Sequence, residues 1–202
     1  MSLWTGEPLV LASKSASRRA LLEAAGIPLK LDPADIDERA VERSQAARAG
    51  AKEVAVLLAR EKALATAKRN PEGLVLGADQ TLALGERRFS KPASRQAAFD
   101  QLSVLAGKTH ELHSAAAVAR EGRIVFEEVT TARLAMRPLS PRFIDAYLDA
   151  AGERVALSVG AYQLEGLGIH LFEKIDGDHF TILGMPLLPL LAYFRASGMI
   201  VS

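Results

Sequence analysis

Apolar positions along the chain change period several times, and each change marks an element. Pro8-Leu9-Val10-Leu11-Ala12 is a short unbroken apolar run, which predicts a buried strand. Behind it Leu21, Leu22 and Ala25 recur at helical spacing, with Ser17 as the expected N-cap and Gly26 as the stop. A polar stretch from Asp32 to Gly50 follows, and then a longer helix over about Ala51 to Lys68, with Val54, Leu57, Leu58, Leu64 and Ala65 on one face and Pro71 beyond its end. Gly73 to Leu84 is apolar apart from one charge, and Gly85-Glu86 suits a tight hairpin leading to Lys91-Pro92.

The second half alternates in the same way. Ser94 caps a predicted helix that runs to Leu105 and stops at Gly107, and His110–Arg120 and Arg123–Met136 flank Glu121-Gly122 as a hairpin would. Ser140-Pro141 starts a helix whose Phe143, Ile144, Tyr147 and Leu148 face inward, with Gly152 ending it. Gly168 to Leu183 reads as two strands around Asp176-Gly177-Asp178, followed by a short helix carrying Leu187, Leu191 and Phe194. Mixed strands and helices throughout predict an α/β fold with an antiparallel portion in the second half.

Composition narrows the chemistry. With 202 residues and 49% apolar content, the chain can bury a large core as one domain, 1–202, or as two joined lobes. Cysteine is absent, so a metal would be held by oxygen or imidazole nitrogen. Met1-Ser2-Leu3-Trp4 opens without a basic segment and a long apolar run, and the apolar cluster Leu187 to Tyr193 is short and contains Pro189. A cytoplasmic protein with no membrane association is therefore expected. Basic residues (25) nearly balance acidic ones (24), and no basic block interleaved with aromatics suggests a nucleic-acid groove.

Several residues stand out for their setting. Ser13, Ser15, Arg18 and Arg19 place hydroxyls and cations just before or within the first turns of a helix, where free N–H groups favour a phosphate; an ordinary capped helix with solvated arginines would look the same. Asp79 interrupts the apolar run, so it either has a cation, metal or several donors as partners, or it ends the strand in a turn. Glu38 could help Asp79 hold a divalent cation or could be solvated. Lys62 sits at the edge of the apolar stripe of its helix while Glu61 falls nearer the middle, and a helical wheel does not choose between them. Lys91 could meet a phosphate or water. His110 and His113, three apart in a predicted strand, point to opposite faces, and none of the four histidines is assigned a metal role. The P-loop, the dinucleotide Gly-x-Gly-x-x-Gly and the Gly-x-Ser-x-Gly elbow are all missing.

Taken in order, Leu11-Ala12-Ser13 through Arg18, Asp37-Glu38, Leu58-Ala59 with Lys62-Ala63, Gly77-Ala78-Asp79-Gln80, Lys91-Pro92, Gly160-Ala161-Tyr162 and Gly184-Met185-Pro186-Leu187 resemble the Maf family of nucleotide pyrophosphatases. The resemblance implies an elongated mixed sheet with flanking helices in two lobes around a cleft, related to inosine-triphosphate pyrophosphatases, and a homodimer. It also implies cleavage of a nucleoside triphosphate to the monophosphate and pyrophosphate with a divalent cation, Mg²⁺, Mn²⁺ or Co²⁺. Asp79 would activate water, Glu38 would share the metal, and Ser13, Ser15, Arg18, Arg19, Lys62 and Lys91 would lie on the phosphate side. Gln80 after Asp79 and Glu165 in Glu165-Gly166-Leu167-Gly168-Ile169 resemble the branch acting on 7-methyl-GTP, and a cationic methylated guanine suits a carboxylate. Ala16 departs from the proline usual in the first motif, and Gly160-Ala161-Tyr162 is more similar to the dTTP/UTP branch. The rival expectations are a nucleotide-binding regulator of septum formation without turnover and a phosphatase releasing inorganic phosphate.

Overall fold

The structure is a computed structural model describing residues 3–45 and 49–201, among which seven strands and seven α-helices form. The opening Met1-Ser2 and the part of the polar stretch at 46–48 lie outside the described residues. In chain order the elements are β1 (Leu9–Leu11), α1 (Ala16–Ala24), β2 (Leu29–Leu31), α2 (Glu38–Gln45), α3 (Ala51–Ala67), β3 (Val75–Leu84), β4 (Arg87–Phe89) and α4 (Arg95–Leu105). Then come β5 (Thr109–Arg120), β6 (Arg123–Met136), α5 (Pro141–Ala151), β7 (Phe172–Asp176), α6 (His179–Ile182) and α7 (Leu187–Ala196), with three short 3₁₀ turns between α5 and β7. The sheet is mixed: its order is β2-β1-β3-β5-β6-β7, β1 runs parallel to both β2 and β3, and β4 and β7 pair antiparallel with β3 and β6. No described helix is long and apolar enough to cross a membrane.

The chain divides into two units, Met1–Gln80 with His113–Thr130 and His179–Ser202, and Thr81–Leu112 with Thr131–Asp178. Strands β3, β5 and β6 each contribute residues to both. In the first unit β1, β3 and β5 are covered on both faces, which is why they read as unbroken apolar runs instead of alternating ones. Leu9, Leu11, Leu76, Ala78, Ala116 and Val118 cluster with Leu22 of α1 and with Leu187, Leu190 and Phe194 of α7. Residues of the opposite parity, Val10, Val75, Ala115 and Ala117 among them, cluster with Ala55, Ala59, Ala63 and Ala67 of α3. Alanines let α3 lie close to the sheet. At Gly77 the approach is so tight that a Cβ would fall 2.2 Å from the Ala59 carbonyl oxygen.

The second unit holds α4, α5, β4, β7 and the 3₁₀ turns. Ser94 and Ser140 cap α4 and α5 as the sequence predicts, their hydroxyls accepting from the Ala97 and Phe143 N–H groups. Arg95 of α4 reaches across to Asp145 and Asp149 of α5, fixing the two helices side by side. Glu121 and Gly122 both take positive φ in the β5–β6 hairpin, the geometry a two-residue turn needs.

Four expectations need correction. The N-cap of α1 is Ser15, whose Oγ accepts from the Arg18 N–H, and not Ser17. Within the stretch read as polar loop, Asp37 Oδ1 accepts from the Ala40 N–H and starts helix α2. The buried stripe of α3 is Val54, Ala55, Leu58, Ala59, Lys62, Ala63, Thr66 and Ala67; Leu57, Leu64 and Ala65 flank it, half-buried. Only one strand, β7, forms in Gly168–Leu183, and the other half winds into α6.

Candidate active site

Asp79 lies in the middle of β3, which continues to Leu84, so the alternative in which the strand ends there does not hold. Its parity is that of Val75 and Gly77, which directs it to the α3 face. The same close packing brings Lys62 within reach: one helical turn past Ala59, its Nζ donates to Asp79 Oδ1 at 2.6 Å, and both residues are only 8% exposed. Lys62, not Glu61, is therefore the charged residue of α3 that turns inward. Its ammonium also lies 2.7 Å from Glu38 Oε1 at the first turn of α2, so one cation joins two carboxylates. Burial raises the Asp79 pKa above the ordinary aspartate value, while Lys62 and Arg18 act against that shift and Glu38 adds to it.

Arg18 occupies the opposite side of the strand. Its Nε donates to the Gly184 carbonyl at 2.8 Å, and Nη1 donates to the Ala78 carbonyl at 2.8 Å and to Ser13 Oγ at 3.2 Å. Burial lowers its pKa from the usual arginine value, offset by the charges of Asp79 and Glu38. A guanidinium stays charged under any physiological condition, so these three acceptors fix a cation in place. Ser13 Oγ also accepts from the Ser15 N–H at 3.2 Å, folding the loop before α1 into a compact turn. Hydroxyls, a fixed guanidinium and the free N–H groups of a nine-residue helix thus come together, a constellation suited to phosphate oxygens.

Ser13, Ser15, Arg18, Glu38, Lys62, Asp79 and Gln80 all belong to the first unit. Arg19 does too, but its guanidinium is half-exposed and pairs with Glu23 at 2.7 Å, a surface contact along α1. Gln80 faces away from Asp79, and its amide nitrogen donates to the Ser114 hydroxyl and to the Thr181 and Ile182 carbonyls at 3.0 to 3.1 Å. Ser114, fully buried, and the Thr181 and Ile182 carbonyls were not singled out in the sequence; the available signal was a hydroxyl inside the apolar part of β5. Lys91 and Glu165 belong to the second unit, and both are exposed. Glu165 sits on a tight turn in which the Gly166 and Gly168 N–H groups both donate to the Gln163 carbonyl, and a Cβ at Gly168 would lie 2.3 Å from that oxygen.

Asp79 and Glu38 supply oxygen donors of the kind a hard divalent cation takes. Among the described residues no group of three or more histidine or carboxylate ligands forms a dedicated cage. Two carboxylates joined through one lysine are what this cluster presents to a cation.

The chain is 57% identical over 201 residues to a nucleoside triphosphate pyrophosphatase of Bradyrhizobium diazoefficiens, covering 99% of each. It is 52% identical over 194 residues to a 7-methyl-GTP pyrophosphatase of Rhizobium etli, covering 95% of this chain and 97% of the relative. Among solved structures a HAM1 protein from Coxiella burnetii aligns with a TM-score of 0.49 at 15% identity, over 93% of this chain and 100% of that one. The family model described as Maf-like protein matches residues 8–197, a span that takes in β1, the α1 loop, Glu38, Lys62, Asp79 and the Thr181–Gly184 turn, and the chain belongs to that family.

Proposed function

We propose that this chain is a nucleoside triphosphate pyrophosphatase, cleaving between the α- and β-phosphates to release the monophosphate and pyrophosphate. The observation that carries the reading is Asp79: a buried carboxylate in mid-strand, held by Lys62, in the same unit as the Ser13, Ser15 and Arg18 cradle. Burying an aspartate costs several kcal/mol, roughly, unless it is paired, and the Lys62 ion pair offsets part of that cost while burial raises the carboxylate's basicity. That is the condition a general base needs. The names of the relatives support the same activity.

Asp79 accepts a proton from water as the water oxygen bonds to the α-phosphorus, and the bond from that phosphorus to the bridging oxygen breaks. Pyrophosphate departs with the electron pair of that bond. Arg18, Lys62 and the N–H groups at the start of α1 balance the charge that gathers on the phosphate oxygens. Lys62 also holds the Asp79 carboxylate in a single orientation toward the water. Asp79 and Glu38 would hold a divalent cation, Mg²⁺, Mn²⁺ or Co²⁺, which supplies Lewis-acid polarisation of the α-phosphoryl oxygen.

For the base, the reading is 7-methyl-GTP. An exposed Glu165 on a turn stiffened by Gly166 and Gly168 offers a carboxylate to the N–H edge of a cationic guanine, and the Rhizobium etli relative bears that name. Gly160-Ala161-Tyr162 favours dTTP or UTP instead. A panel of 7-methyl-GTP, dTTP, UTP and CTP with each metal separates the two, and Glu165→Gln should lower any preference for the methylated base.

Hydrolysis in ¹⁸O-water tests the reaction itself. The label is expected in the monophosphate, with pyrophosphate unlabelled; inorganic phosphate as the product would refute the assignment. Asp79→Asn keeps the volume and loses the base, and turnover should fall about 10²- to 10⁴-fold.

A further inference from the structure

Behind the site a polar circuit runs through the first unit with no assigned role. Ser114 on β5 is fully buried; its Oγ donates to the Thr181 carbonyl at 2.6 Å and accepts from Gln80 Nε2 at 3.0 Å. The Thr181 carbonyl also takes the Gly184 N–H at 3.1 Å, and Gln80 Nε2 reaches the Ile182 carbonyl at 3.0 Å. Two side chains from neighbouring strands therefore hold the Thr181 and Ile182 carbonyls, at the start of the turn that leads out of α6. Gly184 at the end of that turn takes φ +96°, and its carbonyl is the acceptor for Arg18 Nε at 2.8 Å. The circuit closes on β3, where Ala78 and Gln80 flank Asp79: the Ala78 carbonyl holds Arg18 Nη1 and the Gln80 amide holds the turn.

The Gln80 amide nitrogen is saturated by protein acceptors. Its chemistry is that of a brace. Arg18, by contrast, has Nε and Nη1 occupied, and among the described residues Nη2 has no protein partner. The part of the guanidinium left for an anion is oriented by the part that the turn and strand hold. Any shift of the Gly184 carbonyl tilts that fork.

We propose that Ser114 and Gln80 are positioning residues of the phosphate site, acting on substrate through the Thr181–Gly184 turn and the Arg18 guanidinium. The proposal rests on the pyrophosphatase reading for its kinetic form only, because the same geometry governs binding of a bare triphosphate. Ser114→Ala removes one donor and one acceptor without adding bulk, so Thr181 and Gln80 each lose a partner and the turn is held less firmly. A displacement of about 1 Å at an anion clamp costs up to about 100-fold in rate.

The test is a double-mutant cycle on the full chain with Ser114→Ala, Arg18→Lys and the pair, reading kcat/KM for pyrophosphate release and the calorimetric Kd of inorganic tripolyphosphate. Ser114→Ala alone should lower kcat/KM about 10- to 100-fold and weaken tripolyphosphate binding. In the Arg18→Lys background the same substitution should change either quantity less than about twofold, because the route runs through a guanidinium that is no longer there. Ser114→Thr, which keeps the hydroxyl, should recover most of the loss. Gln80→Met in the same cycle serves if Ser114→Ala does not fold, and unfolding midpoints establish that every variant is folded at the assay temperature. Losses that simply multiply, or a Ser114→Ala protein with unaltered kinetics and binding, overturn the proposal. A wild-type protein that binds tripolyphosphate but releases no pyrophosphate sinks the enzymatic reading alone, and the cycle in Kd still decides the positioning role. Failure to bind tripolyphosphate at all sinks both.

Discussion

Lys62 has two carboxylates to satisfy, and the consequence is a pH dependence with a definite sign. Asp79 titrates above the ordinary aspartate value because burial disfavours its charge; Lys62 pulls it down and Glu38 pushes it up. The acid limb of kcat/KM, which reports the free enzyme's base, should therefore lie above about pH 4. Lys62→Met removes the opposing cation and should move that limb to higher pH, with turnover lower by about 10²-fold or more. Glu38→Gln removes a like charge and should move it to lower pH. Normalised pH–rate profiles of the three proteins decide the matter; limbs displaced in the same direction would refute this charge account. Asp79 was legible in the sequence because a charge inside an apolar run demands a partner. Which partner was not, since a wheel drawn for α3 leaves Glu61 and Lys62 both plausible until the packed face is known. The alanine row Ala55, Ala59, Ala63 and Ala67 settles that face, and a small-residue row is a weaker sequence signal than a leucine stripe.

At the level of elements, the approach of α3 to β3 decides whether Lys62 can reach Asp79 at all. Gly77 is the residue that permits it, for a Cβ there would meet the Ala59 carbonyl oxygen at 2.2 Å and the Ala63 nitrogen at 2.5 Å. Both are helix backbone, which cannot step aside as a flexible side chain would. Gly77→Ala should destabilise the protein by about 3 kcal/mol or more, read as a fall in the urea midpoint, and any folded fraction should show impaired turnover because the helix carrying Lys62 is displaced. A variant with wild-type stability and activity would mean that α3 is not held at this distance. Elements built from strong local signals were readable in advance: the Ser94 and Ser140 caps, the Glu121-Gly122 hairpin and the Gly26 stop. Those set by tertiary partners were not. Helix α2 has little apolar surface beyond Ala40 and Val41, so periodicity did not reveal it, although its Asp37 cap is a recognisable start. Phe180-Thr181-Ile182 has the β-branched composition of a strand, yet the Thr181 and Ile182 carbonyls are taken by Gln80 and Ser114 side chains, and the segment turns.

Across the whole molecule, three strands pass from one unit into the other, and a buried histidine offers a way to ask whether the units unfold together. His110 of β5 belongs to the second unit, is fully buried, and shares a 2.7 Å hydrogen bond with the Tyr162 hydroxyl. Burial lowers its pKa from 6.5 to about 4, so between those values the unfolded chain carries a proton that the folded chain does not. Stability must then fall as the pH drops through 6.5 toward 4 and level off below, and a shift of that size is worth about 3 kcal/mol at ~1.36 kcal/mol per unit. Other groups titrate over the same range, so the informative quantity is the difference between the wild type and His110→Gln. At about pH 7.5 the two share one set of contacts apart from this ring; at about pH 4 the wild type should have lost more of its own stability, by about 2 to 3 kcal/mol. Trp4, the single tryptophan, lies in the core of the first unit against Phe194 and reports there. If β3, β5 and β6 tie the chain into one cooperative transition, Trp4 fluorescence should register the pH-dependent change caused by a histidine of the other unit. A Trp4 midpoint indifferent to His110→Gln, alongside a shifted tyrosine signal from the second unit, would show that a shared strand can lose order at one end while its other end stays packed.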